Sequence, residues 1–441
     1  MATRTLVAYI NQRRVGELRE DNGIWAFAYD AGWINAPDGY ALGPGLPLQL
    51  QPLIDGSTRR PVQWYFDNLL PEEGQRMLLA KDARLDAADA FGLLAYYGAE
   101  SAGSLMLLAP DVAVPHTEPL RTLTDEALQQ RIAQLPRLPL SHDAAKRMSL
   151  AGAQHKLPVT LAEGLLCEPV GATPSSHILK PDHPDPDYPH SVINEYFVMR
   201  LAGQLGLLVP PVERRYVPAS VYLITRFDRE YANNEWQRTH CIDACQLLDL
   251  DRSYKYVECS VARLAELANF CRNKPMARVR LFEWLVFVVL TGNGDAHLKN
   301  LSFTVSHEGI ALAPHYDLLS TAVYETRVFN KDGWPERAEL AWPILGVRRF
   351  SKVNQHLMLE AGLLLGLARH TCERILDKQV GRVVAQSQAL LQQIERENSL
   401  LLASHGDAVA AMLAGEMRCL RAVIEVVIKT MAARLASDKA A

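Results

Sequence analysis

The apolar residues of this chain are spaced for strands through much of its first half and for helices through most of its second. The opening stretch LVAYINQRRVGELRE, then DNG, then IWAFAYD, reads as two apolar-rich strands joined at an Asn22-Gly23 turn. FDNLLPEEGQRMLLA and FGLLAYYGAESAGSLMLL predict helices or mixed structure broken by glycine and proline. SLAGAQHKLPVTL and LLCEPV are strand-like runs on either side of a turn at AEG, and SHILK is a further short strand. The prolines of PDHPDPDYPH exclude a regular helix and predict an extended, exposed loop. SVINEYFVMRLAGQLG then has helical spacing, with Ser191 placed as N-cap and Gly206 as stop. VYLITRFDRE is a short apolar strand running into charge. Beyond it VARLAELANFCR, MARVRLFEWLVFVVL and the long C-terminal stretch are chiefly helical.

The order, β-rich first and helical afterwards, predicts an α+β fold of two lobes with a cleft between them. The expected divisions are an accessory β-rich region over 1–110, a β-rich lobe over 111–229 and a mainly helical lobe over 230–441. No repeat of solenoid period and no low-complexity tract interrupts them.

At 441 residues, 49% hydrophobic and 22% charged, the chain has the composition of an ordinary globular protein. A net charge of -4 supplies no overall basic field for nucleic acid. The N-terminus lacks the sustained apolar stretch of a secretory signal, and the most apolar run, 284–290, is too short to cross a bilayer. Seven cysteines, odd in number and without a CxxC framework, fit reduced thiols and a cytoplasmic location. Cys241 and Cys245 could begin a zinc site, but no second close pair of ligands follows.

The chemistry concentrates in TGNGDAHLKNLSFTVSHEGIALAPHYDLLS. Glycines permit a tight loop after the buried helix, and LSFTV and IALAP form a hairpin around SHEG that returns the chain. That return can bring Asp317 close to the loop bearing Asp295 and Asn300. Three such oxygen-bearing side chains suit magnesium, which prefers carboxylate, amide and phosphate oxygens. In phosphoryl transfer one carboxylate accepts the proton of the attacking hydroxyl while metal ligands neutralise phosphate charge. Asp295 is the candidate base, Asn300 and Asp317 the candidate magnesium ligands, and His297 and Lys299 candidate phosphate or loop-stabilising neighbours. An Asp and an Asn in a glycine-rich loop, taken alone, are more often turn formers.

GNGDAHLKNLS with HYDLLS, together with SLAGAQHK and FDNLLPE, resembles the HipA-type serine/threonine kinases, toxins of bacterial toxin-antitoxin modules. The resemblance covers most of the chain and implies a two-lobed, protein-kinase-like fold that uses ATP and magnesium. It makes SLAGAQHK the phosphate-covering loop, with backbone amides of Ala151, Gly152 and Ala153 toward the phosphates and Gln154 and Lys156 steadying the loop. It places the Lys180 ammonium on the α- and β-phosphates, with Glu195 as its ion-pair partner. Adenine-edge contacts fall on the backbone around Thr225 and Phe227, and Asp228 or Gln246 lies near the ribose. Ser149 matches the family's autophosphorylated serine; a phosphate there would repel ATP phosphates and switch the kinase off.

The resemblance further implies an aminoacyl-tRNA synthetase as protein substrate, such as glutamyl-tRNA synthetase. It also implies a small helix-turn-helix antitoxin of the HipB type, and operator DNA contacted mainly through that antitoxin. Two other classes compete: a kinase-like corepressor that acts by binding, and a metal-dependent phosphate hydrolase. Intact Lys180, Asp295, Asn300 and Asp317 argue against an inactive scaffold, and labelling of protein separates transfer from hydrolysis.

Overall fold

A computed structural model describes residues 3–148, 150–232 and 235–436. It divides into two compact units, each assembled from separate stretches: Met1–Pro181, Leu223–Lys255 and Leu301–Ala313 in the first; Asp182–Tyr222, Tyr256–Asn300 and Pro314–Ala441 in the second. Helices and sheets are both well represented, as an α+β fold requires.

The first unit opens with β1 (Arg4–Ile10), β2 (Arg13–Asp21) and β3 (Ile24–Tyr29). With β4 (Leu53–Ile54) and β5 (Met106–Leu108) they form an antiparallel sheet in the order β4-β3-β2-β1-β5. The Asn22-Gly23 turn is where the sequence places it. The first expected strand is instead two, because the chain also reverses at Asn11 and Gln12, both left-handed at φ 45° and 66°. Asparagine tolerates that region. Here its side chain is pinned, accepting from Arg238 N at 2.9 Å and donating to Arg238 O at 3.0 Å. A distant backbone therefore stabilises a turn that local composition does not announce. Leu6, Ala8, Val15, Leu18 and Phe27 bury the sheet's inner face.

Three helices, Pro61–Asp67, Glu73–Ala83 and Ala90–Tyr97, follow in the same unit. Further along, β6 (Arg121–Thr122), β7 (Leu157–Ala162), β8 (Leu165–Glu168) and β9 (His177–Pro181) lie side by side in the order β9-β7-β8-β6. Glu163 and Gly164 make the expected turn between β7 and β8 at φ 49° and 82°. The strands Ser302–Ser306 and Gly309–Leu312 form the expected hairpin, with Phe303 opposite Leu312.

The same unit holds a buried ionic cluster. Glu100, fully buried, accepts from Lys146 at 2.9 Å, Arg229 at 2.8 Å and Arg238 at 2.8 Å, with Arg226 at 3.4 Å. Burial alone would raise its carboxyl, but Arg238, Lys146, Arg229 and Arg226 hold it well below the usual carboxylate range.

The second unit is mainly helical. Its helix Ser191–Leu205 begins one residue earlier than the capping pattern suggests: His190, at φ 60°, occupies the cap position and Ser191 is already helical. The cap is supplied from the preceding loop, where Asp182 Oδ1 accepts from Val192 N at 2.8 Å. A carboxylate satisfies the exposed amide and complements the helix dipole, which leaves Ser191 Oγ to accept from His183 N at 2.8 Å. Gly206 ends the helix at φ 97°, as expected.

The helix Lys274–Leu290 is buried at every position from 284 to 290, and a 37-residue helix, Arg369–His405, follows later. Between them the strands Glu339–Ile344 and Val347–Arg349 form a hairpin that the chiefly helical reading of this half did not include. Leu345 and Gly346 turn it at φ 50° and 85°. Among the described residues no helix is long and apolar enough to cross a membrane.

Candidate active site

The second unit carries the loop that follows Lys274–Leu290. Gly292 is left-handed at φ 63°, and a Cβ there would meet Val427 Cγ1 at 2.6 Å and Ala322 Cβ at 2.7 Å. At Gly294 a Cβ would meet Glu339 O at 2.5 Å. Close packing thus demands both glycines. Hydrogen bonds then fix the path: Gly294 N donates to Thr321 Oγ1 at 2.7 Å, Asp295 N to Asn293 Oδ1 at 3.0 Å, and Trp342 Nε1 to Ala296 O.

This braced loop presents Asp295, an exposed residue, to solvent. The Tyr256 hydroxyl donates to Asp295 Oδ1, and the Tyr256 ring stands edge-on to His297 with centroids 4.9 Å apart. Next comes the short turn Leu298–Asn300, all three residues buried. Its Asn300 accepts from His297 N at 3.3 Å and donates through Nδ2 to Asp317 Oδ2 at 2.7 Å. Asp317 is itself left-handed at φ 59°, and the neighbouring Tyr316 hydroxyl donates to Lys299 O at 2.9 Å. Asp317 and Asn300 therefore meet, as the hairpin argument requires.

Glu195, on Ser191–Leu205, is buried in the same unit. Burial first, then the charges of Glu195 and Asp317, push the buried Tyr222 phenol well above its ordinary value. The phenol accordingly stays protonated beside two carboxylates.

The first unit carries the other expected residues. Gly152 is left-handed at φ 107°, and the Lys156 ammonium donates to Ala151 O at 2.7 Å, drawing 151–156 into a closed loop. Ala153 is exposed and Gln154 half-buried there. Lys180 lies near the end of β9 and is buried. Thr225 ends the strand Ser220–Thr225, its hydroxyl 3.3 Å from His177 Nε2, and Phe227 is half-buried. Asp228 is buried against Arg226 at 2.6 Å and Arg229 at 3.1 Å, and accepts from Gly103 N at 2.9 Å. Gln246 shares a capping box with Asp243 and donates to Tyr65 O at 2.9 Å. Ser149 lies outside the described residues.

With this geometry in view, residues 148–387 match the HipA-like C-terminal domain and residues 6–108 the HipA N-terminal domain. The chain belongs to the HipA family.

Relatives within the family include a putative kinase, Y4mE, of Sinorhizobium fredii. It is 36% identical over 74% of this chain and 79% of its own length. The serine/threonine-protein kinase toxin HipA of Shewanella oneidensis is 32% identical over 73% of this chain and 76% of its own. A solved structure of Shewanella oneidensis HipA with HipB and operator DNA superposes with TM-score 0.77 at 27% identity, covering 96% of this chain and 97% of that one. The α+β fold is therefore that of HipA, and the enzyme class is serine/threonine protein kinase.

The donors of this HipA-family chain fit magnesium. One carboxylate, Asp317, and one side-chain amide, Asn300, are gathered. Magnesium at phosphate sites is typically held by one or two protein oxygens, with phosphate and water completing the shell. The sequence reading did not single out Tyr256, Asn293 or Thr321. YKYVECS has no catalytic signature, and Thr321 reaches Gly294 only through tertiary folding.

Proposed function

We propose that this chain transfers the γ-phosphoryl group of ATP to a serine or threonine hydroxyl of a protein, with Asp295 as the base. The observation that carries this reading is the exposed Asp295 carboxylate. A braced loop holds it, it already accepts a hydroxyl from Tyr256, and the same segment bears the Asn300–Asp317 pair. A hydroxyl from a protein substrate can approach such a group in the same manner.

Asp295 orients that hydroxyl and takes its proton as the oxygen–phosphorus bond forms and the bond from phosphorus to the ADP oxygen breaks. Asn300 and Asp317 would hold magnesium, which supplies charge neutralisation on the phosphates when bound. Lys180 contributes a fixed ammonium to the α- and β-phosphates. The backbone amides of Ala151, Gly152 and Ala153 bind phosphate oxygens, with Lys156 and Gln154 shaping the loop. His297 and Lys299 steady the catalytic loop. The backbone at Thr225 and Phe227 meets adenine, with Asp228 or Gln246 near the ribose.

The protein substrate we infer is an aminoacyl-tRNA synthetase, glutamyl-tRNA synthetase being the first to test, with Ser149 as a self-inactivating second target. A small helix-turn-helix antitoxin is the proposed partner, and through it operator DNA. The Shewanella oneidensis complex of HipA, HipB and operator DNA supports this part, along with a corepressor role that coexists with catalysis. A cytoplasmic location agrees with the seven cysteines, all buried, as reduced thiols.

Intact mass of the wild type, Asp295→Asn and Ser149→Ala after incubation with Mg-ATP and candidate synthetases tests the reading. Wild type should phosphorylate a synthetase and itself, Asp295→Asn neither, and Ser149→Ala only the synthetase. Labelling undiminished in Asp295→Asn removes the base; phosphate release without protein labelling favours a hydrolase.

A further inference from the structure

The motif FDNLLPE, on the N-terminal HipA domain, has no part in the chemistry above. Its last residues nevertheless reach the phosphate loop. Pro71 pairs with Gly152 in a parallel bridge, and Glu72 N donates to Gly152 O at 3.4 Å. One helical turn on, Gln75 Nε2 lies 2.8 Å from His155 Nδ1. The two contacts bracket residues 152–155 of the loop.

The turn is itself locked from behind. Glu72 is 2% exposed, and its carboxylate accepts from Lys255 at 2.6 Å. Lys255, 7% exposed, also donates to Glu73 at 2.8 Å. Glu73 starts its helix at φ 48°, a left-handed conformation that a non-glycine residue keeps only where its surroundings impose it. Within the loop the Lys156 ammonium donates to Ala151 O, and Gly152 holds a positive φ that glycine adopts without strain. The turn meets the loop from outside at Gly152 and His155.

We propose that the turn 71–75, locked by Lys255, is a positioning element for the phosphate loop, so that the N-terminal domain sets nucleotide affinity. This rests on the kinase reading. Gln75 and Lys255 are positioning residues: they act through Gly152 and His155, whose loop amides meet the phosphates. Loss of either contact leaves the loop to be ordered by the nucleotide itself, which weakens binding.

The test measures the Kd of magnesium AMP-PNP by calorimetry, and KM for ATP and for the protein acceptor, in the full chain. Gln75→Ala and Lys255→Met should raise the AMP-PNP Kd and the ATP KM about three- to tenfold, the range expected for one hydrogen bond. Acceptor KM should stay constant. His155→Ala should add nothing to Gln75→Ala, since the pair acts as one contact. If Lys255→Met does not fold, Gln75→Ala decides alone, being half-exposed and tied by one bond. A folded Gln75→Ala that binds AMP-PNP with the wild-type Kd overturns the proposal and leaves the kinase reading intact. Wild type that binds no AMP-PNP overturns both.

Discussion

Asn300 Nδ2 donates to Asp317 Oδ2 at 2.7 Å across 17 residues of chain. Each partner is immobilised by its own element, a buried turn for Asn300 and a left-handed backbone for Asp317. The pair is therefore held by the fold itself, which lowers the cost of ordering it.

Asp317→Asn replaces the carboxylate with an amide of the same size. Loss of the charge should cut phosphorylation by at least about a hundredfold, above the usual effect of disturbing an outer-shell partner. It should also move the magnesium dependence to higher concentration. Initial rates of label transfer across a magnesium titration check both, and rates within about twofold of wild type would remove Asp317 from the metal site.

Tyr256→Phe keeps the ring against His297 and deletes the hydroxyl on Asp295. The carboxylate then loses its anchor, and kcat should fall about three- to tenfold while KM for ATP holds. Steady-state kinetics with ATP and acceptor varied separately decide it. An unchanged kcat means the loop backbone alone orients Asp295.

Glu100→Gln removes one negative charge from among Lys146, Arg226, Arg229 and Arg238. Buried cations left without their counter-charge typically cost about 3–5 kcal/mol. Urea denaturation should show a loss of that order, with a matching drop in melting temperature. A variant as stable as wild type would mean that Asp228 and water compensate.

Glu416 offers a pH test. Burial pushes its carboxyl up to about 7, aided by Asp182 and opposed by the Tyr216 hydroxyl and Arg214. Its folded value exceeds the unfolded one near 4.5, so the native state binds the extra proton between them. Stability of the second unit should therefore fall as pH rises from about 4.5 to about 7, by at most about 3 kcal/mol from this group, and level off above. Glu416→Gln should flatten that slope in denaturation curves taken across the range. A slope unchanged by the substitution assigns it to other groups.

Local signals served where one short segment contains its own reason. Asn22-Gly23, Glu163-Gly164 and Gly206 all turn or stop the chain where the sequence places them, since each needs only a left-handed residue. They failed where the partner is remote. The Asn11-Gln12 reversal depends on Arg238, the cap of Ser191–Leu205 on Asp182, and the hairpin around Leu345-Gly346 lay inside a half read as chiefly helical.

By itself the sequence determined the α+β class, the candidate base and metal ligands, and membership of the HipA family, because these depend on residue types at short spacings. Only the tertiary structure decided which groups face one another. It set Tyr256 on Asp295, joined Asn300 to Asp317, buried Glu100 among four cations and laid the FDNLLPE turn against Gly152. Those pairings join residues that chain order leaves far apart, and for the buried ones, Glu100 above all, the reason is that a polar group withdrawn from water must find a partner wherever the fold supplies one.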